Sequence, residues 1–401
     1  MKTELKASIL APKDLALADQ ILRTCVHCGF CNATCPTYQL LGDENDSPRG
    51  RIYLIKQLLE GKEATQSTQD YLDKCLSCRN CETTCPSGVQ YSQLLDIGRK
   101  TIEARVPRSF KEKLRRKALR TILPYSNRFT PLFKIGRTFK PFLPKEIKQK
   151  IPKRVAAGHW PVTEHKRKMI ILDGCVQPAL SPDTNSATAR VLDKLGISLI
   201  KPRGAGCCGA VSQHLSAEDE ALSFMKQNID AWCADIESGA EAIVMTASGC
   251  GSMVKDYAHH LRHDAKYAEK AKRVSALCKD ISEIVINEDL SQLKIEAAQK
   301  ISWHPPCSLQ HAQKINGVVE DILQQCGYEL LAVNDQHLCC GSAGTYSLLQ
   351  PVIAKKLQIN KITNLQKNNP ELIVTGNIGC QTHLQEVSDV PVIHWIHLLE
   401  P

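Results

Sequence analysis

Apolar residues in the first hundred positions recur at helical spacing rather than in the alternation expected of strands. Ser47-Pro48 is typical of a helix start, and Gly61 is typical of a helix end. The connections in this part of the chain are therefore predicted to be helical. The predicted helices cover 14–24, 52–59, 68–74 and 91–102.

From Lys168 onward the pattern changes, because short β-branched runs now alternate with longer helical stretches. Such alternation favours α/β units built on a small parallel sheet. Residues that follow strand ends in such sheets gather at one rim. The predicted strands include 169–172, 241–244, 301–303 and 371–374, and the predicted helices include 216–236 and 352–367.

The same landmarks occur twice in this second part. The Cys-Cys-Gly at 207–209 returns at 339–341, an offset of 132, and Cys250 returns as Cys380, an offset of 130. One offset that is nearly constant across separate landmarks indicates an internal duplication.

The main chemical signal is the motif C-x2-C-x2-C-x3-C-P, present at 25–36 and again at 75–86. In two-cluster ferredoxins the first three cysteines ligate one [4Fe–4S] core and the fourth ligates the other. A structural zinc module is the alternative, but zinc needs four ligands and leaves the C-x3-C-P tail unexplained. We assign cluster one to Cys25, Cys28, Cys31 and Cys85, and cluster two to Cys35, Cys75, Cys78 and Cys81.

These patterns predict an α+β multidomain chain. An α-helical dicluster ferredoxin domain is followed by two duplicated α/β cysteine-rich domains, each with one Cys-Cys-Gly. The predicted boundaries are 1–105 for the ferredoxin domain, 106–166 for a basic Phe/Pro-rich linker, 167–290 for the first cysteine-rich domain and 291–401 for the second.

The linker carries the positive charge of the chain. Between Arg108 and Arg154 there are 16 Lys or Arg and two Glu, a net charge of +14, whereas the whole chain carries +9. Five of the seven Phe also lie here. One interpretation is a linker packed by its Phe rings with a solvated lysine face; the other is a surface that docks a partner or the membrane. Nucleic acid is not expected, since no nucleic-acid motif accompanies the charge.

The sequence contains no apolar stretch long enough for a signal peptide core or a transmembrane helix. With 19 Cys and two cluster motifs, we expect reduced thiolates in a cytoplasm, and any membrane association would be peripheral, on the cytoplasmic face of the inner membrane. We find neither G-x-G-x-x-G opening a βαβ unit nor a Ser/His/Asp constellation, so no catalytic residue is assigned. Hydride chemistry is expected on another polypeptide.

The second repeat carries motifs that resemble the iron–sulfur subunits of glycolate oxidases. They are HPPCSLQH at 304–311, HLCCGSAGTYSLLQP at 337–351 and GNIGCQTHL at 376–384. The resemblance implies a complex with FAD-containing subunits that oxidise glycolate to glyoxylate, with electrons passing through this chain to an acceptor such as a quinone. Related iron–sulfur subunits serve lactate or glycerol-3-phosphate oxidation, and others are heterodisulfide reductases, so these functions are the alternatives.

In the heterodisulfide reductase relatives, a five-cysteine pattern with a closing C-x2-C builds a further cluster. This chain departs from that pattern, with Met253 in place of the last Cys of repeat one and His383 in place of that of repeat two. A third iron–sulfur or zinc site and a thiol-lined pocket therefore both stay open for repeat two, and a thiol or metal role stays open for repeat one. The repeat-two residues are Cys307, Cys339, Cys340, Cys380 and His383, and the repeat-one residues are Cys175, Cys207, Cys208 and Cys250.

Overall fold

The computed structural model describes residues 1–6, 11–142, 155–293 and 299–400. The chain divides into two compact units, each built from two stretches of sequence. The first unit combines Met1–Lys117 with His337–Leu357, and the second combines Ala118–Gln336 with Gln358–Pro401.

The first unit is helical around its two cysteine motifs, which confirms the predicted helical connections. Ser47 caps its helix as expected, because its Oγ accepts a hydrogen bond from the Gly50 amide at 3.0 Å. The helices are α1 Pro12–Thr24, α2 Phe30–Ala33, α3 Pro36–Leu41, α4 Pro48–Leu59, α5 Gln66–Asp73, α6 Asn80–Thr84 and α7 Tyr91–Arg105.

Apolar side chains of α1, α4 and α7 form the core of this unit. Gly98 on α7 lets that helix approach α4 closely, since a Cβ there would lie 2.6 Å from Ile55 Cγ1. Leu22, Leu58 and Leu94 are fully enclosed in the same core. The motif loops are thus held at the ends of tightly packed helices.

The described part of the basic segment is helical, which the sequence patterns did not predict. It forms α8 Phe110–Ile122 and α9 Ser126–Thr138. Arg108 and Arg116 both bond the Asp73 carboxylate, at 2.7 and 2.8 Å. Residues 143–154 of the predicted linker lie outside the described residues.

The first repeat forms a parallel sheet in the second unit, with strand order β2-β1-β3-β4 among the described residues. The strands are β1 Arg167–Ile171, β2 Ile197–Ile200, β3 Ile243–Met245 and β4 Cys278–Asp280. The helices are α10 Gln177–Leu180, α11 Asp183–Lys194, α12 Ala210–His214, α13 Glu218–Glu237, α14 Ser248–Lys255, α15 Tyr257–His260, α16 Ala268–Leu277 and α17 Ile281–Val285.

The second repeat has the same topology, with order β6-β5-β7-β8 and parallel pairing in its described strands. This confirms the α/β prediction with small parallel sheets. The strands are β5 Lys300–His304, β6 Glu329–Leu330, β7 Leu372–Thr375 and β8 Val392–His394, and the helices are α18 Val318–Gln325, α19 Tyr346–Leu349, α20 Pro351–Gln366 and α21 Ile378–Gln385.

The two sheets share one apolar core within the second unit. Met169 and Leu199 of the first sheet belong to the same buried cluster as Trp303 and Trp395 of the second repeat. The repeats are also joined by polar contacts, such as the His394 Nε2 to Thr246 carbonyl bond of 2.8 Å. The duplicated halves therefore fold as one body.

Candidate metal centres

A first group of cysteines faces one cavity of the first unit. Cys25, Cys28 and Cys31 of the first motif line it together with Cys85, the last cysteine of the second motif, and Cys81 also borders it. Burial, and then the neighbouring Cys25, Cys85 and Cys28, raise the pKa of the Cys31 thiol to about 11. The structure thus brings together the four residues assigned to cluster one.

A second group lies deeper in the same unit. Cys35, Cys75 and Cys81 are buried, and Cys78 is half-buried. Burial raises the pKa of the Cys81 thiol well above its ordinary value, and the nearby Cys78, Cys75 and Cys35 raise it further. Cys35 of the first motif is therefore a neighbour of the second motif, as the crossed assignment expects.

Left-handed backbone shapes both cysteine loops in the same way. His27 and Gly29 flank Cys28 with φ of 57° and 86°, and Ser77 and Arg79 flank Cys78 with φ of 54° and 60°. Non-glycine residues adopt this conformation at a cost, so its repetition indicates a constraint that the loops must satisfy. The same backbone turn therefore recurs at equivalent positions of the two motifs.

The chemistry of these two groups fits iron–sulfur clusters. A thiol whose pKa is raised by burial and by other thiols ionises with difficulty on its own. A cationic iron core would favour the thiolate form, because opposite charge at a short distance stabilises the ionised ligand. Cys25, Cys28, Cys31 and Cys85 would hold one cluster, and Cys35, Cys75, Cys78 and Cys81 the other.

The loop of the first group is open to solvent. Cys28 is exposed, and the neighbouring Val26 and Phe30 side chains are 68% and 62% exposed. Two large apolar side chains exposed beside Cys28 make this loop a candidate contact region. The second group has no comparable opening among its buried members Cys35, Cys75 and Cys81.

The first-repeat cysteines come together in the second unit as a row of thiols. Cys207 contacts Cys175 and Cys208, and Cys208 also contacts Cys250. Hydrogen bonds from Cys207 and Cys250 lower the pKa of Cys208, while burial opposes this. Among the described residues, no three of these sulfurs lie within 4.8 Å of one another. Met253 is buried in the apolar core and acts in packing.

The second-repeat residues are divided between the two units. Cys339 and Cys340 belong to the first unit, whereas Cys307, Cys380 and His383 belong to the second. Cys380 and His383 both lie on α21 and are buried. The third metal site stays a prediction.

His304 is a candidate ligand that the sequence patterns did not single out. It ends β5 and is 1% exposed, and neither of its ring nitrogens has a hydrogen-bond partner among the described residues. One of these nitrogens lies within 4.8 Å of the Cys380 sulfur. Burial lowers the pKa of His304, so the ring is neutral and able to ligate a metal. The signal available in the sequence was a histidine directly after the predicted strand 301–303.

The glycine of each Cys-Cys-Gly has the same role in both repeats. Gly209 and Gly341 adopt φ of 93° and 90°. Their amides donate to the sulfurs of Cys207 and Cys339, each over 3.4 Å. A Cβ at Gly341 would lie 2.7 Å from the Ala354 carbonyl oxygen. The motif therefore needs glycine for both conformation and space.

Family models match both parts of the chain. A model described as a 4Fe-4S dicluster domain matches residues 21–89, which contain all eight motif cysteines. A model described as a cysteine-rich domain matches residues 169–255 and again 301–385. The dicluster match favours iron–sulfur over the zinc alternative, and the second match agrees with the duplication. The exact domain boundaries stay a prediction.

Curated relatives match over most or all of the chain. The glycolate oxidase iron-sulfur subunit of Escherichia coli (strain K12) is 53% identical over 401 residues, covering 100% of this chain and 98% of the relative. A probable glycolate oxidase iron-sulfur subunit of Bacillus subtilis (strain 168) is 30% identical, covering 90% and 87%. Lactate utilization protein A of Oceanobacillus iheyensis is 23% identical and covers 58% of this chain and 96% of the relative.

Proposed function

Because this chain belongs to the family of glycolate oxidase iron–sulfur subunits, we propose that it carries electrons out of a flavoprotein complex that oxidises glycolate to glyoxylate. The observation that carries the proposal is the pair of four-cysteine groups in one helical unit. The identity to the lactate utilization relative is far lower, which favours glycolate over lactate as the substrate of the complex.

Bound at these thiols, two [4Fe–4S] clusters would accept and release single electrons, while FAD on a partner subunit performs the two-electron chemistry. The chain's own residues hold the thiolates in place and keep water away from the buried group of Cys35, Cys75 and Cys81. The exposed loop with Val26, Cys28 and Phe30 is the proposed contact for the flavin-bearing subunit.

A peripheral position at the membrane, with a quinone as acceptor, is the second part of the proposal. No helix in the described ranges is long and apolar enough to cross a membrane. However, Leu132 and Ile135 on α9 and Phe139 at its C-terminal cap form a stripe with three- and four-residue spacing, and each is more than half exposed. The chain has no Asp or Glu between Glu112 and Glu146. A basic helix with an exposed apolar stripe suits an anionic lipid surface.

The electron-transfer proposal is tested with Cys81→Ser in the complex reconstituted with its flavin subunits. We expect glycolate still to reduce the flavin, whereas reduction of a quinone acceptor is lost. Cys233→Ser is the matched control, because Cys233 lies on α13 and outside both motif groups. If quinone reduction survives in Cys81→Ser at the control rate, the proposed electron path is wrong.

A further inference from the structure

A guanidinium is buried beside the second cysteine group. Arg51 is 1% exposed, and its Nη1 donates to Thr37 Oγ1 at 3.1 Å. The same hydroxyl lies 3.2 Å from the Cys35 sulfur. Arg51 also donates to the Tyr71 carbonyl at 2.8 Å and to Asp46 at 3.3 Å. One hydroxyl therefore separates this positive charge from a proposed cluster ligand.

A second buried guanidinium lies beside the same group. Arg99 is 8% exposed, and its Nη2 donates to the carbonyls of Cys75 and Leu72 at 2.8 and 2.9 Å. Its Nη1 donates to Ser77 Oγ at 2.9 Å. These partners are neutral, and the nearby Asp73 is already bonded to two other arginines. A buried cation held by neutral groups is costly unless an anion lies close to it.

A hydroxyl also points at the second group. Tyr91 is buried, and its hydroxyl donates to the Cys75 sulfur at 3.6 Å. Hydrogen bonds to ligand sulfur stabilise the more negative state of an iron–sulfur cluster. Tyr91 thus acts in the same direction as the two guanidiniums.

Two carboxylates oppose these charges in part. Asp46 is 2% exposed and bonds both Arg51 and Lys74. Glu82, which is half-buried, lies near Cys81 and accepts a hydrogen bond from a backbone amide. Lys74 is a third cation beside the two guanidiniums, so three positive charges face these two carboxylates and a net charge of +1 remains.

The first group differs in its charges, because no such buried guanidinium borders it among the described residues, although Tyr91 also lines its cavity. Its neighbouring charges, Arg49 and Glu44, pair with each other at 2.7 Å, with side chains 35% and 44% exposed. The Met1 amino group bonds the Cys25 carbonyl at 3.1 Å from a half-buried position. Charges that are open to water act weakly because solvent screens them.

We propose that the buried positive charges of Arg51 and Arg99 raise the reduction potential of cluster two above that of cluster one. A reduced cluster carries one more negative charge, and buried cations at short range stabilise it. Electrons would then pass from the exposed cluster one to the buried cluster two, which gives the pair a direction. The inference rests on the proposed function, because it presumes the two clusters.

The test is a potentiometric titration of the anaerobically purified chain, followed by paramagnetic resonance and visible absorbance. We expect two separate midpoints, of which only the upper one survives in Cys28→Ser. Arg51→Met and Arg99→Met should each lower the upper midpoint potential and leave the lower one unchanged. The equilibrium constant for reduction of cluster two should fall about tenfold or more. Arg51→Lys and Arg99→Lys, which keep the charge, should restore most of the shift.

Two further variants keep the test decisive. Arg49→Met is the control beside the first group and should leave the upper midpoint unmoved. Tyr91→Phe removes one donor without a buried charge, so it should lower the upper midpoint even if an arginine variant fails to keep its iron. A single wild-type midpoint, a shift of the lower midpoint in the arginine variants, or lysine variants that behave like methionine would overturn the proposal. The titration needs no substrate or partner, so a failure of the glycolate proposal would show up separately.

Discussion

The hydroxyls of Thr34 and Thr84 lie 3.1 Å apart. Each threonine directly precedes the last cysteine of its motif, so this hydrogen bond joins equivalent positions of the two copies. Directly after this contact, Cys85 lies beside the cysteines of the first motif, and Cys35 lies beside those of the second. The contact agrees with the crossed ligand assignment, which stays a prediction.

The crossed assignment predicts which cysteine variants behave alike. Cys85→Ser should lose the same paramagnetic signal as Cys28→Ser, and Cys35→Ser the same signal as Cys78→Ser, because each pair serves one cluster. Resonance spectra and iron content of the four reduced variants measure this. Cys233→Ser should match the wild type. A Cys35→Ser spectrum that matches Cys28→Ser would show that each motif ligates its own cluster.

Replacing Asp73 should destabilise the first unit. Asp73→Asn removes the carboxylate that the buried Arg108 and Arg116 share. Arg108 keeps Glu103, but breaking a buried ion pair in this way still costs about 3 kcal/mol. The measurement is urea unfolding of the cluster-loaded chain, followed by loss of visible absorbance. Asp70→Asn on the same helix is the control, since Asp70 is exposed and should change the midpoint little. Equal urea midpoints for the two variants would show that the Asp73 ion pairs do not stabilise the unit.

The same carboxylate predicts a pH dependence. Burial alone would raise the pKa of Asp73, but the hydrogen bond from Arg108 and the charges of Arg116 and Arg108 bring it below its ordinary value of 3.8. A lowered pKa contributes stability above the unfolded pKa, and that stability is lost as the pH falls through the folded value. The difference between wild type and Asp73→Asn should be constant from about pH 7 to 5 and shrink below about pH 4. A difference that grows in acid would contradict the sign.

The Cys-Cys-Gly glycine should be far less replaceable than a nearby glycine. Gly341→Ala places a Cβ 2.7 Å from a carbonyl oxygen at a φ of 90°, and we expect a loss of about 3 kcal/mol. Gly344→Ala, at a φ of 61° with nothing within 4 Å, should cost about 1 kcal/mol. Urea unfolding of both variants gives the comparison. If Gly344→Ala were the more damaging change, the argument from space at Gly341 would be wrong.

The stripe on α9 should determine vesicle binding. The triple change of Leu132, Ile135 and Phe139 to Ser removes its apolar surface, so flotation with anionic vesicles should weaken about tenfold or more. Changing the exposed Val352 and Ile359 of α20 to Ser is the matched control. Unchanged flotation of the triple variant would rule the stripe out as the lipid contact. Loss of the flavin subunits instead would identify the stripe as a protein interface.

The sequence predicted best those features whose spacing follows from cluster chemistry or from the regular alternation of strands and helices. The spacing of Cys25, Cys28 and Cys31 follows from the need to reach three corners of one core, so the motif is readable without a structure. The parallel sheets were equally predictable, because both repeats alternate apolar runs with helices and return at a nearly constant offset.

What the sequence did not show depends on burial. Arg51 and Arg99 look like ordinary surface arginines in sequence, since such residues are rarely enclosed unless paired. The helix α9 was missed because its dense positive charge and Pro131 hid the apolar spacing. His304 becomes a candidate ligand only because the fold brings its ring close to the Cys380 sulfur, and no local sequence pattern predicts that contact.

The interior shared by Trp303, Trp395, Met169 and Leu199 makes the two duplicated halves mutually dependent. Each half leaves the part of its apolar surface that lies in this shared interior uncovered on its own, so a chain cut between them would expose that surface and tend to aggregate. Each half therefore depends on the other for its solubility.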